Sequence, residues 1–237
     1  MNALQYGDRV KSVDRSGKVI FAEVFLFGHR SPEEYADYVS LQTESRSLQL
    51  STTHFARICS SGCDEDGLRS GRFKMKSVFP QNVSAGDLLL EEAALNSSFA
   101  EGGKLRFAEV KAVSITIELG IYLPLVRGGD LIVNGVAVSP HSEWFLDFCS
   151  ELLPLEGSLW QRTDFYEAIL YALFVVYRLL GPEMAERCFE WLGLHGTWVI
   201  PYQFALVVVV LNMVLAAGAL ALAAAIRRLF GGIRSSN

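Results

Sequence analysis

The side chains best suited to chemistry near neutral pH in this 237-residue chain are four histidines (His29, His54, His141 and His195) and four cysteines (Cys59, Cys63, Cys149 and Cys188). An imidazole can take up or release a proton in the physiological range, and a thiol becomes a nucleophile or a metal ligand once deprotonated. The cysteines show no C-x-x-C zinc spacing, and His54 with Cys59 and Cys63 lacks a fourth ligand, so no metal or cofactor is expected. They are also too few and too scattered for a disulfide framework, which leaves the redox compartment open. Asp64-Glu65-Asp66-Gly67 is a fragment of a calcium loop without its distal glutamate, and a solvated loop is the expectation. His141 and His195 flank turns near Pro140 and Gly196 and have no identifiable partner. With a net charge of -5 and no basic stretch, nucleic acid is excluded as a partner. With 51% hydrophobic and 20% charged residues, the chain must bury a sizeable core.

The elements that must position these groups fall into two regimes. From Gly7 to about Ser139, short alternating or β-branched runs are separated by glycine and aspartate turns, the pattern of a mainly β domain. Strands are expected at Val10–Val13, Val19–Phe27, Tyr38–Gln42, Leu48–Leu50, Phe55–Ile58, Leu88–Leu90, Leu105–Ile117 and Leu131–Val138. Asp14-Arg15-Ser16-Gly17 and Val133-Asn134-Gly135-Val136 are the expected tight turns, and Ser60–Gly71 the longest loop. In the C-terminal part, Trp198–Ile226 carries no charged side chain and exceeds the roughly 20 residues that cross a bilayer, so a single transmembrane helix is expected there. Arg227, Arg228 and Arg234 follow it, which places the C-terminus in the cytosol and the preceding domain in the lumen or outside. Ala168–Tyr177 is too short to span and is expected to be an interfacial or buried helix. Met1 to Tyr6 has neither the basic start nor the apolar core of a signal peptide.

The β region is duplicated. Gly7-Asp8 followed by Phe21-Ala22-Glu23-Val24 recurs as Gly86-Asp87 followed by Phe107-Ala108-Glu109-Val110. Two copies are too few for a solenoid, so two interlocked β subdomains about a pseudo-twofold axis are expected. In each, the Gly-Asp pair makes a turn, the Phe and Val face the core, and Glu23 and Glu109 face water.

Gly7-Asp8-Arg9-Val10, Glu23 to Arg30, Leu50-Ser51-Thr52-Thr53-His54, Ala85-Gly86-Asp87, Leu123-Pro124-Leu125 and Ile132 to Ser139 together resemble, in order and spacing, the Hint module of the hedgehog C-terminal autoprocessing domain. The resemblance implies a mainly β Hint fold and self-cleavage by an N-to-S acyl shift. In that reaction a cysteine at the start of the module attacks the preceding carbonyl, and a second nucleophile, a sterol in animal hedgehogs, displaces the thioester. It further implies that His54, at the histidine of the family's Thr-x-x-His block and near its ordinary pKa, is the general acid and base. Ser51 falls on the threonine position and would hydrogen-bond the strained peptide. His29 falls where animal hedgehogs carry an aspartate that helps activate the sterol, and Pro140 where they carry a later cysteine. The initiating cysteine is expected upstream of Met1 in a longer precursor.

The expected organisation is a Hint-like β domain over 1–147, a helical apolar or membrane-interfacial region over 148–195, and a transmembrane helix with a basic cytosolic tail over 196–237. The expected partners are the precursor's own N-terminal segment as substrate, membrane lipid, and a sterol or other nucleophilic acceptor. The competing expectation is a non-catalytic, membrane-tethered module that keeps the fold for binding or display.

Overall fold

A computed structural model describes residues 3–93, 104–142, 167–168, 170–192, 210–215, 217–218 and 221. The strands are β1 (Arg9–Asp14), β2 (Val19–Glu23), β3 (Leu26–Gln42), β4 (Ser47–Ser51), β5 (His54–Ser61), β6 (Lys74–Val78), β7 (Leu88–Glu92), β8 (Leu105–Glu109), β9 (Ala112–Leu125), β10 (Gly129–Val133) and β11 (Val136–Ser142). The larger sheet runs β2-β1-β10-β11-β5-β6, with β7 pairing β11 and β8, and the smaller runs β4-β3-β9. Fully buried Phe25, Leu26, Phe27, Leu41, Leu48, Phe55 and Leu89 fill the space between them.

The duplication is visible bond by bond. Gly7 N donates to Val24 O at 2.9 Å and Val24 N to Asp8 O at 2.9 Å; in the second copy, Gly86 N donates to Val110 O at 2.9 Å and Val110 N to Asp87 O at 2.8 Å. Each aspartate also accepts at its own turn, Asp8 from Gln5 N at 2.8 Å and Asp87 from Ser84 N at 2.9 Å. The two glycines adopt φ of 87° and 98°, which only a residue without Cβ takes up readily. The long strands β3 and β9 that follow the repeats pair antiparallel, Leu26 with Leu125 at one end and Gln42 with Ala112 at the other. Their flanking bonds match as well: Phe25 N donates to Leu125 O, and Lys111 N to Gln42 O. The start of each long strand meets the end of its counterpart, as a pseudo-twofold axis between them requires.

Val24 and Val110 are buried, and Glu23 and Glu109 face solvent beside Arg178 and Lys111. Phe21 corrects the expectation of an inward Phe, because it is 53% exposed. Residues on a strand alternate faces; Ala22 takes the inward one, while Phe21, paired with Lys11, lies outward with the Arg9 guanidinium 5.9 Å from its ring. Both expected tight turns are present. Asp14 Oδ1 accepts from Ser16 N and Lys18 N, and Asn134 and Gly135 take φ of 50° and 79° between β10 and β11.

The expected loop Ser60–Gly71 instead contains a short helix, α1 (Glu65–Ser70). Asp64 caps its N-terminus by accepting from Gly67 N at 2.6 Å, Glu65 and Asp66 complement its dipole, and Gly71 ends it at φ 66°. Cys59 and Cys63 form a disulfide that ties β5 to this helix. Strand β6, also absent from the sequence expectation, pairs along β5.

Beyond the described end of β11, α2 (Tyr171–Leu180) and α3 (Pro182–Trp191) pack on the β core. Phe174 and Tyr177 meet Phe25 edge-on at centroid distances of 5.5 and 6.4 Å, and Tyr6 lies between Phe27 and Phe189 at 5.4 and 6.2 Å. Within 168–177, Leu170, Ala172, Leu173 and Tyr177 are buried, while Ala168 and Tyr171 are exposed. Most of the expected span Trp198–Ile226 lies outside the described residues. Within it residues 210–215 are helical, with Leu211 packed against the core and Val210, Met213 and Val214 exposed. Among the described residues, no helix is long and apolar enough to cross a membrane.

Candidate functional site

Strand β4 belongs to the small sheet and β5 to the large one, so the chain crosses between sheets over Thr52-Thr53. Ser51, the last residue of β4, and His54, the first of β5, are thereby set at the crevice between the sheets. A cavity of about 540 Å³ opens there, lined by both residues together with Tyr38, Gln49, Glu118 and Tyr122. Gly120, at φ 92°, allows the Tyr122 ring to lie against the backbone, since a Cβ would stand 2.8 Å from that ring. Tyr38 donates its hydroxyl to Gly120 O at 2.7 Å, and burial followed by the neighbouring Glu118 charge raises its pKa, so it remains a protonated donor. Gln49 Nε2 donates to Glu118 Oε1 at 3.0 Å across the same wall.

His54 is 8% exposed and is fixed from behind by β11. Its Nε2 stands 2.7 Å from Ser139 O, and a carbonyl oxygen can only accept, so Nε2 carries the hydrogen and Nδ1 holds the basic lone pair. Burial lowers the His54 pKa to about 4 against the opposing effect of the Ser139 bond. This corrects the expectation of an unperturbed imidazole: the resting side chain is a neutral base, because β11 removes it from water.

A second histidine, missed as a site residue from sequence, stands beside it. His141 is buried on β11, its backbone N donates to Ser139 Oγ at 3.1 Å, and burial first, then the charges of His54 and Arg57, bring its pKa down to about 3. Ser139, Ser142, which pairs with His54, and Ser77, which bonds Arg57, are buried as well. Arg57 donates to Asp130 at 2.9 Å and to Ser77 at 2.9 Å. Burial raises the Asp130 pKa against the pull of Arg57. The available signal was the polar run Ser139-Pro140-His141-Ser142 at the end of a strand that is buried on both faces.

Ser51 is half-buried, paired with Tyr38 in the β3–β4 ladder, on the same cavity as His54. His29 is placed elsewhere. It follows a bulge in β3, its Nε2 is 3.3 Å from Glu34 Oε2, and it is not among the residues lining the cavity. The structure thus brings Ser51 and His54 together and leaves His29 apart. Among the described residues no group of three or more His, Cys, Asp or Glu could hold a metal ion, and the Cys59–Cys63 bond leaves neither sulfur as a thiolate.

The crevice thus sets a neutral imidazole and a hydroxyl on one cavity, a pair able to take up and return a proton. Comparison with known proteins gives a consistent result. Residues 1–146 match the family model of the Hint module. The chain is 28% identical over 143 residues to protein hedgehog of Drosophila erecta, covering 60% of this chain and 28% of that protein. It is 30% identical over 162 residues to warthog protein 6 of Caenorhabditis elegans, covering 68% of this chain and 24% of that one. The chain thus spans about a quarter of the length of these relatives. Among solved structures, the DnaX mini intein from Spirulina platensis aligns with a TM-score of 0.40 at 13% identity, over 55% of this chain and 80% of its own.

Proposed function

This chain belongs to the Hint-module family, and we propose from that premise that it is the autoprocessing part of a longer precursor, cleaving the peptide bond just before an upstream cysteine by an N-to-S acyl shift. One observation carries the reading: His54 and Ser51 line one crevice, and with Nε2 committed to Ser139 O the basic lone pair of His54 is the one on Nδ1. In the first step the cysteine thiol gives its proton to Nδ1 while the sulfur bonds to the carbonyl carbon. The resulting imidazolium, in a site that disfavours its charge, returns the proton to the amide nitrogen as the C–N bond breaks, leaving a thioester and a free amine. The Ser51 hydroxyl is assigned to polarising the strained peptide. A water, a thiol or a lipid alcohol then displaces the module at the thioester. In this reading His29 acts at that second step, as the base that activates the acceptor.

The charge-free segment 198–226 supports a single-pass anchor, with the module lumenal or extracellular and the C-terminus cytosolic. The test is expression of the precursor with its cysteine-bearing upstream segment, alongside a His54→Ala form, with added thiol. Wild type is expected to yield two fragments and the variant to remain intact. Equal yields would remove His54 from the chemistry and favour a tethered module that binds without cleaving.

A further inference from the structure

The turn before the second Gly-Asp pair carries residues that its geometry does not require. The 3-10 turn Pro80–Asn82 leads into Val83, which is buried at 4% exposure, and leaves Asn82 and Ser84 exposed on either side. The first copy builds the same turn, with Gln5 donating to Asp8 where Ser84 donates to Asp87, and Leu4 packing on the core where Val83 does. There the positions corresponding to Asn82 and Ser84 are Ala3 and Gln5. The fold therefore needs neither side chain at these positions. Asn82-Val83-Ser84 is an acceptor triplet for N-linked glycan, Asn-x-Ser with a residue other than proline between.

A second, independent observation bears on where the chain resides. The Cys59–Cys63 disulfide belongs to an oxidising compartment, the lumen of the secretory pathway or the cell exterior, where such acceptors are modified. None of residues 79–84 lines the crevice holding His54, so a glycan on this turn leaves the proposed site open.

We propose that Asn82 is N-glycosylated. The host transferase joins Asn82 Nδ2 to the anomeric carbon of a lipid-diphosphate-linked oligosaccharide; the bond from that carbon to the diphosphate oxygen breaks, Nδ2 gives up one proton, and the lipid diphosphate leaves. The Ser84 hydroxyl completes the acceptor recognised by the enzyme. This is independent of self-cleavage and shares with the proposed function only the lumenal placement of the module.

The test is expression of the full chain with its native upstream sequence in animal cells, followed by digestion with peptide-N-glycosidase and peptide mass spectrometry. The expected result is loss of one glycan from the Asn82 peptide, leaving aspartate at position 82. Asn82→Gln and Ser84→Ala abolish it, and Ser84→Thr retains it. Asn96→Gln serves as the control for the second triplet, Asn96-Ser97-Ser98. Thiol alkylation before lysis reports whether Cys59 and Cys63 are joined. An unmodified Asn82 overturns the proposal, and free Cys59 and Cys63 in the same sample trace that failure to a reducing compartment. Either result leaves the His54 cleavage assay to be decided on its own.

Discussion

The two buried histidines should make this domain sensitive to mild acid. Unfolded, His54 and His141 take up protons near pH 6.5; folded, burial holds them off until about pH 4 and about pH 3. The unfolded chain therefore binds more protons throughout the interval, so stability is complete above about pH 7 and falls as the pH drops. At pH 5 the difference amounts to about 1.5 logarithmic units for each imidazole, or about 2 kcal/mol each and about 4 kcal/mol together. That is a large part of the 5–15 kcal/mol typical of a domain. Asp14 and Glu91, held below their ordinary range by hydrogen bonds that outweigh their burial, lose their stabilisation in the same direction but only as the pH falls below the ordinary carboxylate range, so they contribute little in this window. Asp130, raised by burial, works in the opposite sense, and an Asp130→Asn background removes it. Urea denaturation at pH 7.5, 6 and 5 reads the difference directly. His141→Phe should roughly halve the pH slope. A stability that changes by less than about 1 kcal/mol over that range would refute the assignment of two neutral imidazoles behind the crevice.

Other expectations follow from the same contacts. Glu91 is fully buried and accepts from Thr43 at 2.8 Å, Ser45 at 2.7 Å and Arg106 at 2.7 Å; Glu91→Ala should cost about 3 kcal/mol in chemical denaturation, because the donors lose their acceptor. Gly7 and Gly86 share a left-handed backbone, but a Cβ on Gly7 would stand 3.2 Å from Pro182 while one on Gly86 meets nothing within 4 Å. Gly7→Ala should therefore destabilise more than Gly86→Ala, each by at least about 1 kcal/mol in thermal melts. In precursor cleavage, Ser51→Thr should preserve fragment yield and Ser51→Ala should lower the rate about tenfold or more, the scale of one lost transition-state hydrogen bond, as measured by time-resolved gel densitometry.

Much of the fold could be inferred from sequence because its instructions are local. The Gly-Asp pairs, the Asn134-Gly135 turn and the alternating strands each carry their geometry in a few adjacent residues, and the repeat of one pattern disclosed the other half. The omissions have particular causes. Lys74 and Lys76 place two charges on β6, which obscured a strand whose partner, β5, supplies the apolar side. In α1 the Asp64 cap and the Gly71 stop were present, but the helix is six residues long and the same acids resemble a loop. Cys59 and Cys63 lie four residues apart, a separation that identifies no framework until the strand end and helix cap are known to be adjacent. At the site, Ser51 and His54 were identifiable as a block. The acidity of His54 was not, since it comes from burial beneath β11, whose Ser139 lies more than 80 positions away in sequence, and becomes apparent only once β11 lies against β5.

The antiparallel union of β3 with β9 bears on ancestry and on dissection. Each half lends its longest ribbon to the other, so the arrangement is that of a strand-exchanged homodimer whose two chains have been fused into one. Neither portion is expected to fold by itself, since each leaves its longest strand without the partner it has in the whole domain. A break in the backbone between Val78 and Leu88 should yield fragments that remain unstructured alone and regain the native circular dichroism signal when mixed, because each is the template that the other lacks.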